Sequence, residues 1–260
     1  MLLLLVLALT GLSCGANIFS VQDDVTLGRD IDGEIHTNPK EYPILQNPRI
    51  HEYLQSMVST IVRSPEVEYR NTFPYKVTVI NDDRTINAFA TPGGYVYVYT
   101  GLLRFCENES MLAGVLAHEI AHAEERHGTE HMTQALGFQA VLDIISGRNN
   151  SEVVNMAASS ATLLATLANS RDDELEADTR GFAYLESTKW WPGGIKLFFE
   201  KMLLEQGRGS TMFEQWLSTH PAPEDRVKNI NELMRKNNTP PPSPGNLMTS
   251  EYRSMLRSLR

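Results

Sequence analysis

The sequence predicts an α+β fold, mostly helical, with a small antiparallel or mixed sheet placed directly before the helix that carries its principal motif. Three observations predict it. Apolar residues recur at helical spacing along most of the chain, the period changes to two only between Tyr75 and Thr100, and the next helical run contains His118-Glu119-Ile120-Ala121-His122. That run is an HExxH pattern, which places two imidazoles on one helix face.

The first segment, Met1 to Leu12, is almost wholly apolar and too short for a lasting membrane anchor. With the small residues that follow, it reads as a secretory signal over residues 1–14. The Ser13-Cys14 junction is similar to a bacterial lipobox, although Gly11 and Leu12 depart from the usual residues. The expectation is export to the periplasm or cell envelope, with a lipid anchor at Cys14 as a further option. Cys106 is then a lone cysteine, so no disulfide framework is expected, and it reads as buried filler.

From Ser20, Val21, Val25, Ile31 and Ile35 indicate an exposed amphipathic helix. Asn47 caps a clearer helix to Arg63, with Pro48 in its first turn and Ile50, Leu54, Met57, Val58 and Ile61 as its stripe. Strands are expected at Lys76 to Ile80, Ile86 to Ala90 and Tyr95 to Thr100, with a type II turn at Thr91-Pro92-Gly93-Gly94. Together they make a small antiparallel or mixed sheet, and in Tyr95 to Tyr99 the tyrosines share one face and the valines the other, so that one face packs and the other can stay wet. Asn108 or Ser110 caps the motif helix and Gly128 stops it. Val153 to Ser170 carries no charge, but its Ala, Ser and Thr content reads as part of a helical hairpin rather than a membrane span. Helices follow at Gly193 to Glu205 and Pro223 to Arg235. The organisation is thus a domain over residues 20–236, then a Pro-rich linker and short helix or tail over 237–260.

With 260 residues, 42% of them hydrophobic, the chain can bury a proper core. A net charge of -9 without a basic cluster argues against nucleic acid as a partner.

On a helix, residues four apart stand about 6 Å apart along the axis, so His118 and His122 can reach one ion. Glu119 projects beside that ion, placed to take a proton from an attacking water, and is the candidate general base. A zinc hydrolase needs three protein ligands. The metzincin pattern would put the third ten residues after His118, where this chain has Gly128. The run Ser170 to Asp178 offers another source: Glu174 and Asp178 share a helix face, while Glu176 points away. Glu174 can bind the metal and Asp178 can accept the outer N–H of a ligand histidine. A solvated acidic helix start is the other reading of this run. His127 and His131 read as surface residues.

Together, HEIAHAEERH at 118–127, SRDDELEAD at 170–178, NAFATPGGYVYVYTGLL at 87–103 and STHPAPEDR at 218–226 resemble the gluzincin metallopeptidases of the HtpX and CAAX prenyl protease type, metallopeptidase family forty-eight. The resemblance implies a zincin-like fold, one zinc ion per chain held by His118, His122 and Glu174, and Glu119 as catalytic base. It also implies that Asn87, Ala88 and Phe89 line the substrate cleft, where an exposed strand edge pairs with an extended polypeptide. His220 belongs to the same set, as a donor to the oxyanion of the tetrahedral intermediate or as a fourth zinc ligand in a closed form; a simple helix cap before Pro221 is the alternative. The expected function is a zinc endopeptidase acting on unfolded or misassembled envelope proteins. The competing expectation is a zinc-bound chaperone or assembly factor whose protease site is gated.

Overall fold

The computed structural model describes residues 17–137, 141, 168–208 and 213–259. The signal segment, Cys14 and nearly all of the Val153 to Ser170 run lie outside the described residues.

Local chemistry accounts for the helix starts. In α1 (Val21–Thr37), Ser20 and Asp23 form a reciprocal capping box. In α2 (Pro48–Val62), the Asn47 side chain accepts from Ile50 N, and its five expected stripe residues are all buried. A left-handed glycine makes the turn between the strands β2 (Ala88–Thr91) and β3 (Tyr95–Tyr99): Gly93 has φ 74° and ψ 9°, as the third position of a type II turn requires.

That turn makes β2 and β3 antiparallel, while the sheet as a whole is mixed, the second of the two arrangements expected. The strand β1 (Val77–Ile80) pairs with β3 in parallel, Val77 opposite Val96, so the order is β1-β3-β2 with β3 at the centre. Neither face of β3 is wet, since all five of its residues are buried. Tyr95, Tyr97 and Tyr99 are buried under α1 with Ile31 and Ile35, and the Tyr97 hydroxyl donates to Asp32 Oδ1 at 2.7 Å. The hydroxyl finds a polar partner while the ring packs, so tyrosine is no sign of a wet face. For the same reason α1 is a covering helix rather than a freely exposed one.

After α3 (Thr100–Phe105), the motif helix α4 (Glu109–Glu124) runs through the centre, with every residue buried. Asn108 caps it, and Glu109 in its first turn accepts from Tyr53 at 2.5 Å and Trp190 Nε1 at 2.7 Å. Helix α4 ends earlier than expected. Arg126 turns left-handed, and Gly128 falls inside α5 (His127–Leu136) rather than stopping α4.

Two further helices flank α4: α6 (Arg171–Glu186) and α7 (Gly194–Gln206). Gly114 and Gly194 permit the second contact. A Cβ on Gly114 would strike the Ile195 backbone, and one on Gly194 the Ser110 carbonyl. The fold continues with α8 (Glu214–Thr219) and α9 (Pro223–Lys236). Residues beyond 236 pack on the same core through α10 (Pro244–Leu247) and α11 (Thr249–Leu256): Tyr252 is buried and donates to the Leu103 carbonyl at 2.6 Å.

Candidate metal centre

Helices α4, α6, α8 and α9 converge on one buried point. His118 and His122 come from one face of α4, and their Nε2 atoms stand 2.9 Å apart. Glu174, in the first turn of α6, brings Oε1 to 3.3 Å from His122 Nε2 and Oε2 to 3.5 Å from His118 Nε2. His220 caps the end of α8 and stacks on Trp216, ring centroids 4.5 Å apart. Ligand atoms of His118, His122, Glu174 and His220 all lie within 4.8 Å of one another.

Other polar groups surround this set. Asp178, one turn after Glu174, places Oδ1 3.0 Å from His118 Nδ1. Asn169 donates to Glu174 Oε1 at 2.8 Å. Glu119 lies beside the cluster, with Oε1 3.5 Å from His220 Nε2. Glu176 points elsewhere and is half exposed beside His127.

The electrostatics follow from burial and crowded charge. Burial pushes the Glu119 carboxyl up to about 8 and His220 down to about 4. His122 is also driven well below its ordinary value, by burial first and then by His118. Burial and Arg226 disfavour a charge on His118, but the carboxylates of Asp178 and Glu174 outweigh them and raise it to about 9. Glu174 is held well below the carboxylate range, against its burial, by Arg226 and His220.

A cation fits this arrangement. Glu119 Oε1 and Glu174 Oε2 are buried without a hydrogen bond, in a place where such atoms are rarely left unpaired. Two imidazole nitrogens facing each other beside a carboxylate are a nitrogen and oxygen donor set with a gap in its bonding. The Arg226 guanidinium is near, its Nη1 2.5 Å from Glu174 Oε2, but is not aligned to hydrogen-bond there.

A cleft opens onto the site. Glu119, His122 and His220 line it, with Asn87 and Phe89 from the β2 side. Ala88 does not reach the cleft; its side chain is fully buried. Strand β2 is the sheet edge nearest the site, and its Ala90 N–H stabilises the Glu119 carboxylate.

Three residues here escape a reading of the sequence. Arg226 is fully buried against Asp178 and Glu174. Its signal was its place in the His220 block, but arginine on an amphipathic helix ordinarily reads as solvated. Asn169 precedes the α6 cap and carries no spacing signal. His127, expected on the surface, is buried with Nδ1 2.8 Å from His122 Nδ1. His131 is partly buried and bonded to Asp173 at 2.9 Å.

Comparison with known proteins places this geometry. Residues 45–234 match peptidase family M48. The chain is 34% identical to the beta-barrel assembly-enhancing protease of Escherichia coli K12 over 196 residues, which is 71% of this chain and 39% of that protein. It is 30% identical to the mitochondrial metalloendopeptidase OMA1 of Schizosaccharomyces pombe, over 75% of this chain and 57% of that one. The Saccharomyces cerevisiae OMA1 is 27% identical over 77% of this chain and 59% of its own length. The chain therefore spans about two fifths of its Escherichia coli relative and under three fifths of the yeast ones, and it belongs to peptidase family M48.

Proposed function

We propose that the chain is a zinc-dependent endopeptidase, with His118, His122 and Glu174 as protein ligands to one zinc ion and Glu119 as general base. The observation that carries this reading is the buried convergence of His118, His122, Glu174 and His220, whose ligand atoms all lie within 4.8 Å of one another, with Glu119 Oε1 buried beside them without a hydrogen bond. Zinc bound there would supply Lewis-acid activation of water and of the scissile carbonyl.

The chain's own residues do the remainder. Glu119, facing the cleft, would accept a proton from the attacking water as a carboxylate and return it to the leaving amine. Asp178 orients His118. Ala88 and Phe89 open the edge strand against which an extended polypeptide would pair, with Asn87 just before it, and Asn87 and Phe89 face the cleft. His220 would serve either as a fourth protein donor to the ion in a closed form or as a donor to the oxyanion of the tetrahedral intermediate.

The substrates proposed are unfolded or misassembled envelope proteins, and the relative named as a beta-barrel assembly-enhancing protease supports that choice. Export fits the apolar start at 1–14, with Cys14 as the place for a lipid. Among the described residues, no helix is long and apolar enough to cross a membrane. The domain reading is likewise a peptidase domain over 20–236, followed by a short C-terminal appendage.

A second reading, an assembly factor with a gated site, draws on His220 standing among the metal-facing groups. One experiment separates the two: incubate an unfolded protein with the zinc-loaded chain and with its Glu119→Gln variant. Cleavage by the first alone is the expected result. Zinc binding without cleavage by either would favour the gated reading.

A further inference from the structure

Two residues past the end of helix α4 stands a residue with a rare conformation. Arg126 has φ 61° and ψ 29°, the left-handed region that costs a non-glycine residue free energy, and His127 opens α5 immediately after it. The turn is fastened from outside: the Arg126 guanidinium pairs with Asp24 and donates to the Phe19 carbonyl, and Asn17 donates to Thr129 at 2.8 Å.

This break brings His127 to His122. Five residues apart on a continuous helix, the two side chains would stand about 140° apart around the axis. With the left-handed turn between them, His127 folds back beneath the centre, Nδ1 2.8 Å from His122 Nδ1. Its other nitrogen, Nε2, lies 3.4 Å from Glu176 Oε2 and 3.8 Å from Asp173 Oδ1.

Resting on the zinc reading above, we propose that His127 is a positioning residue for the ligand His122. His122 aims Nε2 at His118 and Glu174, so Nε2 is the metal-facing atom and the proton of the neutral ring must sit on Nδ1. That N–H donates to His127 Nδ1, which therefore accepts. The proton of His127 is thereby placed on Nε2, where it donates to Glu176. A relay from His122 through His127 to a carboxylate then fixes the ring and tautomer of the second ligand, as Asp178 does for the first. The two ligands differ in that His118 meets its carboxylate directly, whereas His122 meets one through a second imidazole.

The strained Arg126 turn has a function on this account. A helix running on past Glu124 would carry His127 away from His122, and the contacts to Asp24 and Phe19 hold the turn that prevents it.

The test is zinc affinity, measured by competition with a chromophoric chelator, for the wild-type chain and two variants. His127→Leu fills the space without an acceptor. His127→Asn places an amide oxygen close to where Nδ1 stood. The expected result is a loss of about 10–100-fold in zinc affinity for His127→Leu, most of it restored in His127→Asn, with the two metal-free variants unfolding at similar temperatures. Wild-type affinity in both variants would overturn the relay. Equal losses in both, with lowered metal-free stability, would also overturn it, by showing that His127 only packs. Failure of the wild-type chain to bind zinc would remove the metal reading itself, and the relay with it, before any substitution is compared.

Discussion

Arg226 grips Asp178 in a two-bond fork, Nε to Oδ2 at 2.8 Å and Nη2 to Oδ1 at 2.7 Å, and turns its third nitrogen toward Glu174. All three side chains are buried. Burial alone would raise the Asp178 carboxyl, but Arg226 outweighs it and holds the group below its ordinary range. The arginine is therefore the permanent positive charge around which a metal-free centre can keep its carboxylates ionised.

Removing that charge leaves two buried carboxylates poorly compensated. Arg226→Met is expected to destabilise the metal-free protein by about 3–5 kcal/mol. Zinc should narrow the deficit, because a bound cation supplies part of the missing charge. Arg226→Lys should fall between, since it keeps the charge and loses the fork. Urea unfolding with and without zinc measures all three, and an unchanged midpoint for Arg226→Met would show that the carboxyls take up protons instead.

The His131–Asp173 pair gives a pH dependence with a definite sign. Hydrogen bonding to Asp173 raises His131 above 6.5. Asp173 is pushed up by burial, but bonds from His131 and Ser170 bring it well below the carboxylate range. A raised histidine stabilises fully below its unfolded value near 6.5 and loses that contribution as pH rises through the folded value. A depressed carboxylate stabilises above its unfolded value near 3.8 and loses it as pH falls. The two limits bracket a window of mildly acid pH. In chelator, His131→Gln should cost about 1–2 kcal/mol inside that window and little well above it. Thermal unfolding of both proteins from pH 4 to pH 9 is the measurement, and a cost that grew with pH would contradict the assigned signs.

The parts of this molecule that were legible in its sequence are those set by near neighbours. Asn47 and Asn108 cap their helices because an amide oxygen three residues before a free N–H is a local arrangement. His118 and His122 share a face, as do Glu174 and Asp178, because four-residue spacing on a helix leaves no choice. The rest depended on segments far apart. Whether β1 joins β2 or β3 is decided by pairing across the sheet, and no periodicity within Lys76 to Ile80 carries that information. The tyrosine face is closed by Ile31 and Ile35, more than fifty residues earlier. His127 was misplaced because a left-handed turn at an arginine has no signal in composition; its partner Asp24 stands about a hundred residues away in the chain. Arg226 was passed over because a buried arginine and a solvated one look alike on an amphipathic helix.

The choice between Glu174 and Glu176 is the sharpest check on the centre, because they stand two residues apart on one helix and have opposite surroundings. Glu174 is 1% exposed, with its carboxylate oxygens within 3.5 Å of the His118 and His122 imidazoles. The Glu176 side chain is 53% exposed and lies 3.4 Å from the outer nitrogen of His127. Glu174→Ala should therefore weaken zinc by more than the roughly 10–100-fold that loss of an outer partner costs. Glu176→Ala should keep nearly all of the affinity. The alanine variant alone leaves an ambiguity, since it also takes a partner from Arg226 and could loosen the fold. Glu174→Gln removes it: the amide preserves the shape and still meets Asn169, but loses the charge that a dication demands. Equilibrium dialysis against zinc, with circular dichroism to confirm that each variant is folded, reads the result. Loss of zinc by a folded Glu174→Gln protein beside retention by Glu176→Ala would place the third ligand at 174, and the reverse order would move it to 176.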